Sequence, residues 1–303
     1  MIEPILLNVI TPIFMVIGLG YLTGKYFHIN LEALSKLIFY IFAPAFIFQS
    51  LLKFRPSVQN MKMDILFNVL LMTLLFGLSY LLFRKLHFPK KLLTNAALAA
   101  TLFNSANYGI PVIDLAFSTP GIAIQVITVM TLNILTYTLG IIVAGGLHEW
   151  KQGILTVLKH PILYSIFLAF LLNDLHLTLP APILSAVQWL SYGMLPVALL
   201  TLGIQLAKKI TFHYPKELWI TVVFRLLVSP LIALCLILLL HLHGLLAKVL
   251  WVSSAFPTAV VTVLFEIEYG TEASLAAGAV FWTTLLSIFS VTIIISLSSW
   301  IIH

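Results

Sequence analysis

The chain has 303 residues, 61% of them apolar and only 9% charged, with a net charge of +6 and a mean hydropathy of +1.10. A soluble globular domain carries about 25% charged residues, so this composition excludes one and places the chain in a lipid bilayer. The basic excess sits in short turns between apolar stretches, which membrane topology explains and nucleic-acid binding does not.

Ten membrane-spanning helices are expected, at 5–27, 31–52, 63–83, 91–116, 120–147, 161–179, 181–206, 217–240, 245–268 and 273–301. The first lacks a basic leader and runs too long for a signal core, so it is expected to be retained as a span. Span two carries a mid-membrane proline in Ile41-Phe-Ala-Pro44, and span seven another in Gly193-Met-Leu-Pro196. Glycines 18, 20 and 24 and the Gly145-Gly146 pair read as close-packing positions.

Span four holds the stretch on which the functional reading turns, Phe103-Asn104-Ser105-Ala106-Asn107-Tyr108-Gly109-Ile110-Pro111. It reads as a helix break. Lys91 to Phe103 precede it and Pro111 to Ser118 follow, two halves of about 20 Å and about 12 Å that together cross a bilayer of about 30 Å. Backbone freed at that depth is tolerated only where protein buries it or it lines a cavity. Asn104, Ser105 and Asn107 are expected to cap the second half, with Gly109 and Pro111 as helix-break residues. A second interruption, Ser253-Ser254-Ala255-Phe256-Pro257-Thr258, falls in span nine, with Pro257 as its break. Paired breaks in two halves of a chain point to a transporter's binding site.

The halves meet at the polar connector 148–160, which separates a first five-span repeat, 1–147, from a second, 161–303; five spans in each makes the second inverted. If the N-terminus is outside, eleven Lys and Arg residues fall in inner loops and four in outer loops, with Arg225 left inside span eight. That bias predicts both termini on the outer side of the plasma membrane.

Asn104-Ser-Ala-Asn-Tyr-Gly109-Ile-Pro111, Gln125 followed by Tyr137-Thr-Leu-Gly, Arg225-Leu-Leu-Val-Ser-Pro230, and Phe256-Pro257-Thr-Ala through Glu268-Tyr269-Gly270 together resemble the auxin efflux carrier family. Their order along ten spans is more specific than any one of them, and the short central connector makes the chain look like a compact bacterial member. The resemblance implies a bile-acid-symporter-like fold. Spans one, two, six and seven would form a scaffold, and spans three to five and eight to ten a moving domain in which broken helices four and nine cross at the midplane. It also implies a homodimer through the scaffold and organic anions such as auxin, malate or malonate as cargo. Family members carry proline directly before the asparagine matching Asn104, whereas this chain has Phe103.

Half-helices meeting at a midplane present positive dipole ends to the gap, a site for an anion. Asn104, Ser105, Asn107, Thr258 and Asn133 are therefore the expected substrate-binding residues, with Phe103, Tyr108 and Phe256 as apolar walls. Asp114, Arg225, Glu266 and Glu268 are candidates for ion coupling or charge pairing, with Arg225 expected to snorkel or to pair with one of the two glutamates. Gln49 and Gln205 read as helix–helix hydrogen-bonding residues.

The nine histidines lie at span ends and form no zinc-ligand grouping, the single Cys235 excludes an internal disulfide, and no phosphate-binding loop or nucleophile set is present. Neither metal nor cofactor is expected, nor enzyme activity, although Na+ or H+ could couple transport. The reading is a secondary transporter of small organic anions using elevator-type alternating access. The alternatives are a sodium- or proton-coupled exchanger of inorganic ions on the same fold, and a membrane receptor or scaffold without turnover.

Overall fold

The computed structural model describes residues 2–145, 161–208, 215–263 and 274–302, so the connector lies outside the described residues. These segments are helical apart from their turns, one isolated β-bridge and the non-helical stretches around it. In chain order the helices are α1 (Ile2–Tyr26), α2 (Leu31–Lys53), α3 (Val58–Lys85), α4 (Lys90–Thr101), α5 (Gly109–Gly145), α6 (Pro161–Asp174), α7 (Ala181–Leu206), α8 (Pro215–Leu239), α9 (Gly244–Ser254) and α10 (Ser274–Ile301). Seven of them, all but α4, α6 and α9, are long and apolar enough to cross a bilayer. Two of the three short helices, α4 and α9, stop at the breaks in spans four and nine, and the third, α6, is described from Pro161 to Asp174.

Local chemistry sets many of the boundaries. Asn30 Oδ1 accepts from the Glu32 and Ala33 amides at 3.0 and 3.2 Å and starts α2. Ser57 Oγ accepts from the Asn60 amide at 3.1 Å and starts α3 five residues before the expected 63, because a polar first turn extends beyond the apolar run. Helix α5 is bent at Ser118 (φ 56°, ψ −164°), just before Pro120, so that 109–117 completes the broken span and the remainder forms the next one. Three helices widen into π turns two residues ahead of a proline: Leu6–Ile10 before Pro12, Ile38–Phe42 before Pro44 and Phe224–Val228 before Pro230. Proline donates no amide hydrogen and crowds the preceding turn, and the wider turn relieves both.

The ends of α3, α6 and α8 share one turn. His87, His176 and His241 each take a left-handed φ (60°, 51° and 52°), and the following residues, Phe88, Leu177 and Leu242, donate their amides back to the carbonyls of Phe83, Leu172 and Ile237 at 3.0–3.1 Å. This is a Schellman closure with histidine where glycine is usual. After α3 and again after α8 it leads within five residues into a short helix that ends at a break.

Helices α1 and α7 touch backbone to backbone. A Cβ on Gly20 would lie 2.3 Å from the Leu200 carbonyl oxygen, one on Gly24 2.8 Å from the Ile204 Cα, and one on Gly203 2.1 Å from the Ile17 carbonyl oxygen. Gly18, expected to act likewise, has nothing within 4 Å, because it lies off that seam. On the other side of α2, Asn173 Nδ2 donates to the Leu51 carbonyl at 2.9 Å and Arg55 pairs with Asp174, tying α2 to α6. Outward faces carry exposed Tyr164, Phe167, Trp189, Leu239 and Trp300, as expected where the solvent is lipid.

Candidate functional site

The two breaks cross, and backbone hydrogen bonds hold them together. Helix α4 ends at Thr101, Leu102 and Phe103 turn extended, and Phe103 forms an antiparallel bridge with Thr258. The Asn104 amide donates to the Pro257 carbonyl at 2.8 Å, and the Ala259 amide donates to the Leu102 carbonyl at 2.9 Å. The break therefore begins two residues earlier than local propensity indicates, because strand-like pairing claims Leu102 and Phe103. The bridge makes no use of the Phe103 N–H, so phenylalanine and proline would serve equally at this position.

Helix α5 restarts at Gly109, whose amide donates to the Asn104 carbonyl at 3.0 Å. Gly109 was expected as a helix-break residue; its φ is not positive, and a Cβ there would lie 2.5 Å from the Phe256 ring, so what requires glycine is close approach. Pro111 sits buried in the first turn of α5, where its missing N–H costs nothing. Pro257 contributes its carbonyl to the bridge.

On one side of the crossing lies a cavity of about 170 Å3. Phe103, Asn104, Ser105 and Asn107 from the first break, Asn133 and Thr136 from α5, Ala259 and Val260 from the second break, and Ser35, Phe39 and Gln205 from α2 and α7 all line it. Four of the five expected binding residues thus come together. The fifth, Thr258, is turned away: its hydroxyl donates to the Ala99 carbonyl and its amide donates to Thr283 Oγ1, both at 2.9 Å. Two of the expected apolar walls are also displaced. Tyr108 and Phe256 pack edge to face at 5.6 Å beneath the crossing, where the Tyr108 hydroxyl hydrogen-bonds Ser287 at 2.8 Å.

Asn104 Nδ2 and Asn107 Oδ1 are buried and have no hydrogen-bond partner among the described residues, so these side chains do not cap the second half-helix through those atoms. Gln205 Oε1, across the cavity, is likewise unpaired rather than engaged in helix–helix bonding. Amide groups offer both donors and acceptors, and a buried one left unmatched costs about 1–3 kcal/mol, which a solute in the cavity can recover. No carboxylate lines the cavity among the described residues.

Gln125 and Arg225 tie the two breaks together, although Arg225 Nε has no hydrogen-bond partner among the described residues. Gln125 Nε2 donates to the Ser105 carbonyl at 2.9 Å, and its Oε1 accepts from Ser253 Oγ at 2.6 Å, so this side chain joins the two breaks. Arg225, in the π turn of α8 and fully buried, donates to the Thr101 carbonyl at 2.8 Å, to the Ala100 carbonyl at 3.2 Å, to Ser229 Oγ and to the Ser254 carbonyl. Its guanidinium lies 5.0 Å from the centre of the Phe103 ring. It neither snorkels nor pairs with a described carboxylate. Glu266 and Glu268 lie outside the described residues. Asp114 is half-buried away from the cavity and feels the charge of Lys53 at the end of α2.

Sequence reading passed over Asp64. It is the buried carboxylate among the described residues, accepting from Thr128 Oγ1 at 2.7 Å and from Asn68 Nδ2 at 3.0 Å. The i, i+4 spacing of Asp64 and Asn68 on an apolar helix was the available signal. Ser35 and Thr136 were also passed over; single hydroxyls in apolar helices carry no such signal.

A sequence profile of a family described as membrane transport protein matches residues 5–154 and 147–295. An uncharacterised transporter of Methanocaldococcus jannaschii is 28% identical over an alignment of 312 residues that covers 98% of each chain. An uncharacterised transporter of Methanothermobacter thermautotrophicus is 24% identical over 268 residues, 86% of each chain. The similarity runs through both breaks and the helices that carry them, and the chain belongs to the membrane transport protein family.

Proposed function

We propose that this protein is a secondary transporter of small organic anions, similar to the auxin efflux carriers, with the cavity at the crossing as its solute site. The observation that carries this reading is the set of unmatched amide groups of Asn104 and Asn107 in a cavity beside the start of a half-helix. The Asn104 Nδ2 donor orients a carboxylate, the Asn107 Oδ1 acceptor suits a hydroxyl or other donor group on the same solute, and the positive end of 109–117 favours the anionic charge. The volume, below the about 300–1,000 Å3 of drug-sized sites, suits a small solute.

The cavity is lined by Ser35 and Phe39 from the first half of α2 and by Gln205 at the end of α7, the ends whose flanking Lys36 and Lys208 the loop charges assign to the cytoplasm. In an elevator cycle α3 to α5 and α8 to α10 would carry the crossing past α1, α2, α6 and α7, with the second half an inverted repeat of the first. The matching Schellman turns before α4 and α9 support that repeat. A homodimer through the α1, α2, α6 and α7 scaffold, in a plasma membrane with both termini outside, completes the proposal.

Reconstitution in liposomes tests it: uptake of small mono- and dicarboxylates, with and without a sodium gradient and at two pH values, is expected to depend on the crossing. Flux of inorganic ions alone would overturn it. A second reading, a proton- or sodium-coupled exchanger, is favoured by the Asp64, Asn68 and Thr128 cluster. Under that reading Asp64→Asn abolishes gradient-driven flux; retention of full gradient dependence in that variant dismisses it.

A further inference from the structure

The crossing poses an electrostatic problem that the paired breaks do not solve by themselves. Helices α4 and α9 both end there, and each C-terminus carries roughly half a negative charge. Two restarts offer positive ends in return: 109–117 carries roughly half a positive charge, and the helical turn at 261–263 begins a second, whose continuation lies outside the described residues. Helix dipoles alone thus give the crossing no net positive charge with which to select an anion. Arg225 alters the sum. Its guanidinium is buried, donates to carbonyls at both C-termini (Ala100 and Thr101 of α4, Ser254 of α9), and has only neutral acceptors among the described residues. One full positive charge thus offsets two half charges and leaves the positive start of 109–117 to dominate. The charge also lies close to the solute, because Phe103 has the guanidinium 5.0 Å from its ring centre and itself lines the cavity.

We propose that Arg225 is the specificity-determining residue for solute charge: by neutralising the converging ends of α4 and α9 from beneath Phe103, it makes the cavity selective for anions without touching the solute. This inference rests on the reading of the cavity as an anion site. Arg225 is a positioning residue as well, since it ties both broken helices to α8, and a test must separate charge from clamp.

The purified, reconstituted protein is titrated with malonate, with its neutral diamide, and with thiocyanate as an inorganic anion, in wild type and three variants. Arg225→Gln is expected to weaken malonate and thiocyanate by about tenfold or more while leaving the diamide nearly unchanged. Arg225→Lys keeps the charge but cannot reach all the acceptors, so thermal stability falls while the malonate-to-diamide ratio holds. Ser229→Asp leaves Arg225 in place and pairs it with a carboxylate at the Ser229 Oγ contact, so the ratio falls as in Arg225→Gln; this variant decides if Arg225→Gln does not fold. Equal losses for malonate and diamide in Arg225→Gln, an unchanged ratio in Ser229→Asp, or a lost ratio in Arg225→Lys would each overturn the inference. Thiocyanate binding that depends on Arg225, in a protein indifferent to malonate, leaves this inference standing and removes the organic-anion reading. A wild-type protein that binds no anion overturns both.

Discussion

The break in span four and the break in span nine look alike as chain interruptions and differ in chemistry. In the first, Asn104 and Asn107 keep unmatched polar atoms and face a cavity. In the second, every hydroxyl is engaged: Ser253 with Gln125 at 2.6 Å, Ser254 with the Trp251 carbonyl at 2.6 Å, and Thr258 with the Ala99 carbonyl at 2.9 Å. One break leaves polar atoms unmatched toward a cavity, and the other commits its own to bracing the crossing. An interrupted helix is therefore no binding site in itself; what matters is whether its polar groups have been used up by the fold.

Four substitutions break or sharpen this contrast. Asn104→Ala should have the largest functional effect, lowering carboxylate uptake by about tenfold or more at equal protein level, with little change in thermal stability. Unchanged uptake in liposomes would remove the first break from the site. Gly109→Ala should cost about 1–3 kcal/mol of stability, because the new methyl meets the packed Phe256 ring. Its unfolding temperature in detergent checks this, and uptake should fall with it. Thr258→Ala should show the opposite profile to Asn104→Ala. Losing the bond to Ala99 costs about 1–2 kcal/mol of stability, while the apparent affinity for the solute stays within about twofold. Pro257→Ala should have the smallest effect. The bridge uses the carbonyl of residue 257, which alanine also supplies, so span nine stays open and uptake stays near wild type. A continuous helix in a structure of that variant, with uptake lost, would show that the proline ring and not the bridge holds the break.

Both breaks were legible because Asn, Gly, Ser and Pro interrupt otherwise apolar periodicity, and four of the five expected binding side chains do share one cavity. Thr258 was misjudged for a physical reason: in sequence a threonine beside a break looks available, and only the approach of Ala99, from 159 residues away, shows that its hydroxyl is engaged. Arg225 is a similar case. Its intramembrane position was visible, but apart from the Ser229 hydroxyl its partners are backbone carbonyls, which no residue identity encodes.

The sequence by itself determined that this protein lives in a membrane, that its helices are interrupted at 104–111 and near 257, and that the interruptions carry polar side chains. These follow from composition and local backbone preference, which act within a few residues. Only the tertiary structure decided where each break starts, which polar groups remain free, and what Arg225 neutralises. Those depend on Phe103 meeting Thr258, 155 residues away, and on α4, α8 and α9 converging through contacts 125 and 29 residues apart, with energies set by geometry and burial rather than by neighbours in the chain.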